Sequence, residues 1–205
     1  MIKELKSEQI RISSGNPKCQ IKSISFPPCA TCNPNAPCFA KCYARKAYRL
    51  YPQTRDAYNF NFEFYKTNPR EFERQLTALT SLEAFFRYFI SGDIIDAEFF
   101  ALMVRVAKKN KNCKYLAFTK KYDIINDYLS SGKKIPKNLK IIFSLWGDFG
   151  TDKNPYNLPQ AQVIFKGQET PKNAILCGGN CVNCICRGCG CWQLKNGQTV
   201  YFNEH

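Results

Sequence analysis

Hydrophobic and polar positions divide the chain into a helical first part and a second part in which strands and helices alternate. An alternating stretch over residues 21–26 predicts a first strand, which a Pro-Pro pair ends. Residues 54–66 are predicted to form a helix, and a further helix is predicted to begin after Asn68. Asn68 is a preferred N-cap residue, and Pro69 suits the first helical position. The apolar positions predicted to form the buried face of this last helix are Phe72, Leu76, Leu79 and Leu82.

From about residue 85 the pattern becomes a repeating alternation of strand and helix. We predict strands over residues 87–90, 114–119, 139–145, 161–165 and 173–176, with helices from Asp96 to Lys108 and around 124–129, the second ended by Gly132. Strands separated by helices of this length form parallel sheets with right-handed crossovers. The sequence therefore predicts one α/β domain over residues 1–205, an incomplete parallel β/α barrel with cysteine-rich loops near both ends.

Polar or small residues stand where the predicted strands end, and they predict a ligand site. The carboxyl ends of parallel strands share one rim, so these positions are expected to lie together. Asp93 would hold a ribose hydroxyl or an ammonium group, and Lys120 an anionic group. Ordinary turn and cap chemistry is the alternative interpretation. The predicted cofactor-binding residues are Ser91, Gly92, Asp93, Thr119, Lys120, Ser144 and Trp146.

Ten of the 12 cysteines fall into two groups separated by more than a hundred residues. Cys38 and Cys42 are four apart and are expected to share one face of a helix. The two remaining cysteines, Cys19 and Cys113, stand alone, and we expect each to be a small buried hydrophobic residue. The predicted metal ligands are Cys29, Cys32, Cys38 and Cys42 in the first group and Cys177, Cys181, Cys184, Cys186, Cys189 and Cys191 in the second.

The cysteine groups favour metal binding over disulfides. The polar first eight residues contain no secretory h-region, and no apolar run is long enough to span a bilayer. A cytosolic chain keeps its thiols reduced, and disulfides remain the alternative for a secreted one. Four thiolates suit a tetrahedral zinc ion or a [4Fe–4S] cluster, and we predict two clusters with zinc as the alternative.

The C-x3-C half of the first group resembles part of the radical-SAM loop. That loop would place a third cysteine at position 45, where this chain has Arg45. Cys29 or Cys32 would have to supply the missing ligand if S-adenosylmethionine is a further cofactor. A complete set of four cysteine ligands would leave no iron open for it.

The formal charge of +14 arises from 30 Lys and Arg residues against 16 Asp and Glu residues. Residues 103–121 contain basic side chains and no acidic one, and so do residues 128–147. Such a field favours polyanions, of which nucleic acid is the commonest. The alternative is a solvated lysine surface that keeps the protein soluble.

An ordered series of motifs resembles the phage-associated family named for gene product 88 of mycobacteriophages. The series covers nearly the whole chain and comprises GNPK at 15–18, the C-x2-C and C-x3-CYA pairs at 29–44, SGD at 91–93, FTK at 118–120, FSLW at 143–146, and a closing cysteine group with Cys191-Trp192 and His205. The resemblance implies a radical-SAM-like incomplete barrel, iron–sulfur ligation and a phage or mobile-element origin. It brings no reaction with it.

Three functional interpretations remain open at the level of sequence. The first is a redox or radical-SAM-like enzyme with two cysteine-ligated clusters, located in the host cytoplasm and without membrane association. The second is a nucleic-acid-binding protein whose iron–sulfur or zinc centres are structural. The third is a zinc-stapled adaptor that binds another protein. His205, if ordered, could reach a cluster and tune its potential.

Overall fold

The computed structural model describes residues 8–15, 19–181 and 190–204, whose strands form a parallel sheet. The strands are β1 (Ser23–Ile24), β2 (Phe85–Tyr88), β3 (Lys114–Thr119), β4 (Leu139–Ser144), β5 (Gln160–Ile164), β6 (Ile175–Leu176) and β7 (Thr199–Asn203). The helices are α1 (Ala44–Leu50), α2 (Pro52–Thr67), α3 (Pro69–Thr80), α4 (Ala97–Lys109) and α5 (Tyr122–Ser130). Short 3-10 turns cover Pro37–Phe39 and Cys191–Gln193.

The described strands form a seven-stranded sheet in the order β1-β2-β3-β4-β5-β7-β6. Every neighbouring pair in this sheet is parallel. The order follows the sequence as far as β5, and the last strand then inserts between β5 and β6. Within the described residues the two edge strands, β1 and β6, do not pair with each other, so the sheet is open.

One face of the sheet, called here the helical face, packs against α2 to α5. Alternate strand residues point to it because successive side chains of a strand face opposite sides. Phe26, just after β1, lies at the centre, with ring contacts to Phe62, Phe72, Phe89 and Phe99 at 5.2–6.3 Å between centroids. Strand residues contributing to this core include Ile24, Phe86, Tyr88, Tyr115, Ala117, Leu139, Ile141 and Phe143.

The opposite face, called here the inner face, is covered by residues near the carboxyl terminus. Leu116 of β3 and Ile142 of β4 form a smaller core with Leu194 and Val200, against which Cys177, Cys191, Trp192 and Phe202 pack. The Trp192 ring makes an edge-on contact with Phe85 of β2, 5.7 Å between centroids. Chain segments distant in sequence therefore bury the two faces of one sheet.

The prediction of an α/β fold with a parallel sheet is confirmed, and β3 has the predicted bounds. Asp96 caps α4, because its Oδ1 accepts a hydrogen bond from the backbone N–H of Phe99 at 2.7 Å. Gly132 follows α5 with φ +77°, the left-handed conformation expected at a helix end. No helix among the described ranges combines the length and apolar character that crossing a bilayer requires.

Two local predictions are wrong, and one strand was not predicted. Cys38 lies in a 3-10 turn and Cys42 precedes α1, so they do not share a helical face. Leu79 and Leu82, expected in the core, are 44% and 89% exposed. The buried stripe of α3 follows Phe72, Leu76 and Thr80, so Leu79 lies beside the stripe, and Leu82 lies beyond the end of the helix. Strand β7 was missed, since Thr199–Asn203 shows too short an alternation to distinguish it from a loop.

Glu73 joins α3 to α4 and yields a pH-dependent prediction. Its carboxylate, 14% exposed, accepts from Arg105 at 2.8 Å and Lys109 at 3.2 Å. Burial alone would raise the pKa of Glu73, but these hydrogen bonds lower it. Its stabilising contribution is therefore present above the unfolded pKa of about 4.3 and is lost as the pH falls through the lower folded pKa. Glu73→Gln should reduce the free energy of unfolding by about 1 kcal/mol at pH 7.

The measurement is urea unfolding from pH 7 to pH 3. The deficit of Glu73→Gln should shrink as the pH falls, because protonation removes the same ion pairs from the wild type. Glu169→Gln alters an exposed carboxylate that makes no ion pair among the described residues and serves as the control. A deficit that is independent of pH would contradict the assignment.

Candidate functional site

The first cysteine group lies in a loop, residues 25–43, that is bonded to the carboxyl ends of β2 and β3. The hydroxyl of Thr31 accepts a hydrogen bond from the backbone N–H of Asp93 at 2.7 Å. The side chain of Asn33 donates to the carbonyl of Lys120 at 3.2 Å. The Tyr43 hydroxyl donates to the Ile90 carbonyl at 2.9 Å. These bonds fix the loop, called here the cysteine loop, beside the predicted rim.

Gly92 permits the closest approach between the cysteine loop and the end of β2. Its φ of +79° lies in the left-handed region, which side chains with a Cβ rarely adopt. A Cβ built there would lie 2.9 Å from both the Cβ of Phe26 and the Oγ1 of Thr31. The glycine of the Ser-Gly-Asp sequence is therefore required by backbone geometry and by the space that the loop occupies.

The Asp93 carboxylate joins the ends of β2 and β3. Its Oδ1 accepts from the Thr119 hydroxyl at 2.6 Å and from the Ile94 backbone N–H at 2.7 Å, and its Oδ2 accepts from the Lys120 backbone N–H at 2.8 Å. Burial raises the pKa of Asp93, although these three hydrogen bonds oppose the shift. In this structure the carboxylate anchors two strand ends, and its predicted role toward a ligand stays a prediction.

Lys120 continues this hydrogen-bonded chain to the end of β4. Its Nζ donates to the Ser144 hydroxyl at 2.7 Å. The Tyr122 hydroxyl donates to the carbonyl of the same serine at 2.5 Å. The structure thus brings together Asp93, Thr119, Lys120 and Ser144, which we call the rim chain. Sequence reasoning missed Tyr122, and also Thr31 and Asn33, because nothing in their local pattern distinguishes them from ordinary helix and loop residues.

Two of the predicted rim residues lie apart from the rim chain. Ser91 is buried, and its hydroxyl has no hydrogen-bond partner among the described atoms. The Trp146 ring contacts Phe165 edge-on, 5.4 Å between centroids. Phe165 also lines a cavity of about 430 Å³ at the carboxyl ends of β5 and β7. Trp146 therefore packs against the residue that follows β5.

The thiols of the cysteine loop lie close enough to act on one another electrostatically. The Cys29 thiol donates a hydrogen bond to the Phe39 carbonyl at 3.8 Å. Burial raises the pKa of Cys29, and the nearby Cys42 and Cys38 add to the shift, whereas the charge of Arg45 opposes it. Burial also raises the pKa of Cys32 to about 12, with the Asp93 carboxylate contributing. Among the described residues no three His, Cys, Asp or Glu side chains converge closely enough to hold a metal ion. The loop gathers four sulfur donors without arranging them around one point.

Three of the six predicted ligands in the second group are described. Cys177 follows β6 and donates its backbone N–H to the Tyr201 carbonyl at 2.9 Å. Cys177 and Cys191 pack against the core of the inner face, and the charge of Cys191 acts on Cys181. Cys184, Cys186, Cys189 and His205 lie outside the described residues.

Cys19 has a neighbour that the sequence did not reveal. It is buried as expected, 4% exposed, but the Cys181 thiol donates a hydrogen bond to it and the Arg87 guanidinium donates another. The bond from Cys181 lowers the pKa of Cys19 against the opposing effect of burial, and Arg87 contributes. The same bond raises the pKa of Cys181. No spacing rule connects two cysteines 162 positions apart, so only the fold could show this contact.

Comparison with known proteins identifies one family. The sequence profile described as Gene product 88 matches residues 3–190, most of the chain. Neither a curated protein nor a solved structure matches the chain.

The bond between Thr31 and Asp93 can be tested by Thr31→Val. This change keeps the shape of a residue that is 3% exposed but leaves the Asp93 N–H buried without an acceptor. An unsatisfied buried group costs about 1–3 kcal/mol, so we expect a loss of that size in urea unfolding. The iodoacetamide reaction of Cys32 should also accelerate as the loop loosens.

Thr31→Ser is the matched control, because it retains the accepting oxygen and should stay within about 1 kcal/mol of the wild type. Equal losses in the Val and Ser variants would show that packing of the methyl group, and not the hydrogen bond, fixes the loop.

Proposed function

We propose that this chain, which belongs to the gene product 88 family of phage proteins, is an iron–sulfur protein with redox chemistry. Two cysteine-ligated [4Fe–4S]-type clusters are proposed, the first held by the cysteine loop and the second by the carboxyl-terminal group. The reaction would take place at the rim chain beside the first cluster. A radical-SAM-like reaction on an incomplete barrel is the specific form of this proposal.

The observation that carries the proposal is the attachment of the cysteine loop to the strand ends. Thr31, two positions after Cys29, is bonded to the backbone of Asp93, and Asn33, next to Cys32, is bonded to the backbone of Lys120. A centre held by the loop would therefore lie next to the rim chain. Parallel α/β folds bind ligands at this end of their strands, which supports a reaction site there.

The residues present suit the proposed group in chemistry. Four thiols lie in one loop, and thiolates are the ligands that [4Fe–4S] clusters take from proteins. When bound, such a cluster supplies one-electron transfer. The Lys120 ammonium, held by Ser144, offers a positive charge to an anionic substrate group. S-adenosylmethionine is the proposed second ligand if one iron stays open. The position of helices α2 to α5 on one face of the sheet is compatible with an incomplete barrel.

The test is metal analysis of protein prepared without oxygen. We expect about eight irons and eight acid-labile sulfides per chain, with the visible absorption and EPR signals of [4Fe–4S] clusters. The double variant Cys29→Ala, Cys42→Ala should retain about half of the iron, because only the first cluster loses its ligands. Cys113→Ala removes a thiol on the helical face, remote from both groups, and should retain all of it.

Stoichiometric zinc without sulfide would refute the redox proposal. Iron and sulfide that survive in the double variant would show that the cysteine loop holds no cluster.

A second candidate function, nucleic-acid binding, is favoured by the position of the lysines. Those preceding β3 and β4 lie at the amino edge of the sheet, opposite the cysteine loop, because parallel strands all begin at one edge. The exposed lysines at this amino edge are Lys108, Lys109, Lys111, Lys133, Lys134 and Lys137. Only Lys109 of this set forms an ion pair among the described residues, with Glu73. The remaining charges are available to phosphates.

Binding of a fluorescent DNA oligonucleotide, followed by anisotropy at several salt concentrations, tests this candidate. The triple variant Lys111→Ala, Lys134→Ala, Lys137→Ala should weaken binding and reduce the log–log salt slope by about 0.9 for each phosphate that the variant no longer neutralises. The charge-matched control replaces Lys46, Lys153 and Lys166, which lie away from the amino edge, by Ala. Equal effects in both triple variants would mean that net charge alone attracts the DNA.

A further inference from the structure

The cavity of about 430 Å³ at the carboxyl ends of β5 and β7 is an open cleft that neither the cysteine loop nor the rim chain uses. The connection after β5 forms one side of this cleft, and the end of β7 forms the other. Open parallel sheets bind ligands outside the carboxyl ends of their strands, at the place where the strand order reverses. The order reverses here, because the chain passes from β5 to β6 and then returns to place β7 between them.

Two hydrogen bonds join the sides of the cleft. The backbone N–H of Glu204 donates to the Ile164 carbonyl at 2.9 Å, and the Oε2 atom of Glu204 accepts from the backbone N–H of Lys166 at 3.2 Å. Residues 165–168 form a turn that is closed by a hydrogen bond of 3.0 Å between its first and last residues. Gly167, with φ +88°, supplies the positive φ that such turns adopt at their third position. The cleft therefore has a defined shape.

The cleft contains one basic and one acidic side chain. Lys166 and Glu204 are both exposed, and neither forms an ion pair with a described residue. The Glu204 carboxylate is oriented by a backbone N–H, and an ionised carboxylate has acceptor sites for more than one such bond. Both charged groups are thus available to a ligand.

An aromatic ring completes the cleft. Phe165 lines it and is supported by the Trp146 ring, which lies edge-on at 5.4 Å between centroids. A ring that is held in this way is a platform for a planar ligand group, and nucleic-acid bases stack readily on aromatic side chains.

We propose that this cleft binds a ribonucleoside monophosphate. Lys166 contacts the phosphate, Glu204 accepts hydrogen bonds from the ribose hydroxyls, and Phe165 stacks on the base. Acidic residues hold the ribose in the same way in dinucleotide-binding parallel sheets. The volume of the cleft lies within the range of about 300–1,000 Å³ that is typical of small-molecule sites. The inference goes beyond the iron–sulfur proposal and does not depend on it, because the described lining residues include no cysteine and no member of the rim chain.

The test is isothermal titration calorimetry of the full chain with adenosine 5′-monophosphate as the probe. Three comparison ligands each lack one of the proposed contacts: 2′-deoxyadenosine 5′-monophosphate, adenosine and ribose 5-phosphate. We expect each to bind about tenfold more weakly than the probe, because a hydrogen bond to a charged group or a stacked base contributes at least this factor. Protein prepared with and without its metal should bind the probe equally, so failure of the iron–sulfur proposal would leave this result unchanged.

Glu204→Gln keeps an acceptor for the Lys166 N–H but removes the charge that faces the ribose. It should weaken binding of the probe about tenfold and leave binding of the 2′-deoxynucleotide nearly unchanged. Glu169→Gln is the matched control, because Glu169 is an exposed carboxylate of the same connection that does not line the cleft. This control should bind both nucleotides as the wild type does.

Lys166→Met should weaken binding of the probe about tenfold without affecting adenosine, which has no phosphate. Lys172→Met removes an exposed lysine of the same connection and should change neither affinity. Phe165→Leu should weaken binding of the probe but not of ribose 5-phosphate, which has no base.

Three outcomes would overturn the proposal. The first is the absence of binding at about 1 mM probe. The second is inorganic phosphate that binds as tightly as the probe, which would make the cleft a simple anion site. The third is equal binding of the nucleotide and its 2′-deoxy form, with Glu204→Gln behaving as the wild type.

Discussion

A parallel sheet is stable only when both of its faces are buried, and this constraint governs the rest of the structure. Helices α2 to α5 cover one face with an aromatic core centred on Phe26. The other face receives no helix of comparable length from the described residues and is covered by Leu194, Val200 and the residues that pack with them. The carboxyl-terminal segment, as far as the structure describes it, is therefore part of the core and not an appendage. Any metal that it binds would be coupled to folding, because the same residues that hold the metal complete the sheet.

The two cysteine groups lie in different environments. The cysteine loop occupies the carboxyl edge of the sheet, where its thiols lie near the Asp93 carboxylate and the polar rim chain. Two described members of the second group, Cys177 and Cys191, pack against the mostly apolar inner face, on which Lys140 donates to the Leu194 carbonyl and Arg87 lies over the Phe118 ring. A centre in a polar, partly exposed edge suits exchange with a substrate, whereas a centre on a buried face suits electron storage or structural support. This difference in solvation supports a division of roles between the two proposed clusters.

Asp93 illustrates how a residue with a functional pattern can have a structural role. Its position after a strand, next to serine and glycine, is typical of ligand sites. The carboxylate instead accepts three hydrogen bonds from the protein and links the ends of β2 and β3. This network fixes Lys120, whose ammonium reaches Ser144 at the end of β4. The buried Asp93 carboxylate thus helps to fix the position of the Lys120 ammonium without itself having to touch a ligand.

The sequence by itself determined the local elements and the polar strand ends. The apolar run of β3, the N-cap Asp96 and the terminating Gly132 each act through neighbours within a few positions, so periodicity and capping chemistry were sufficient to find them. The tertiary structure decided what depends on distant partners: the insertion of β7 between β5 and β6, the bond from Thr31 to Asp93, and the contact between Cys19 and Cys181. These contacts form only after the sheet has brought remote segments together, and no local pattern encodes which segments will meet.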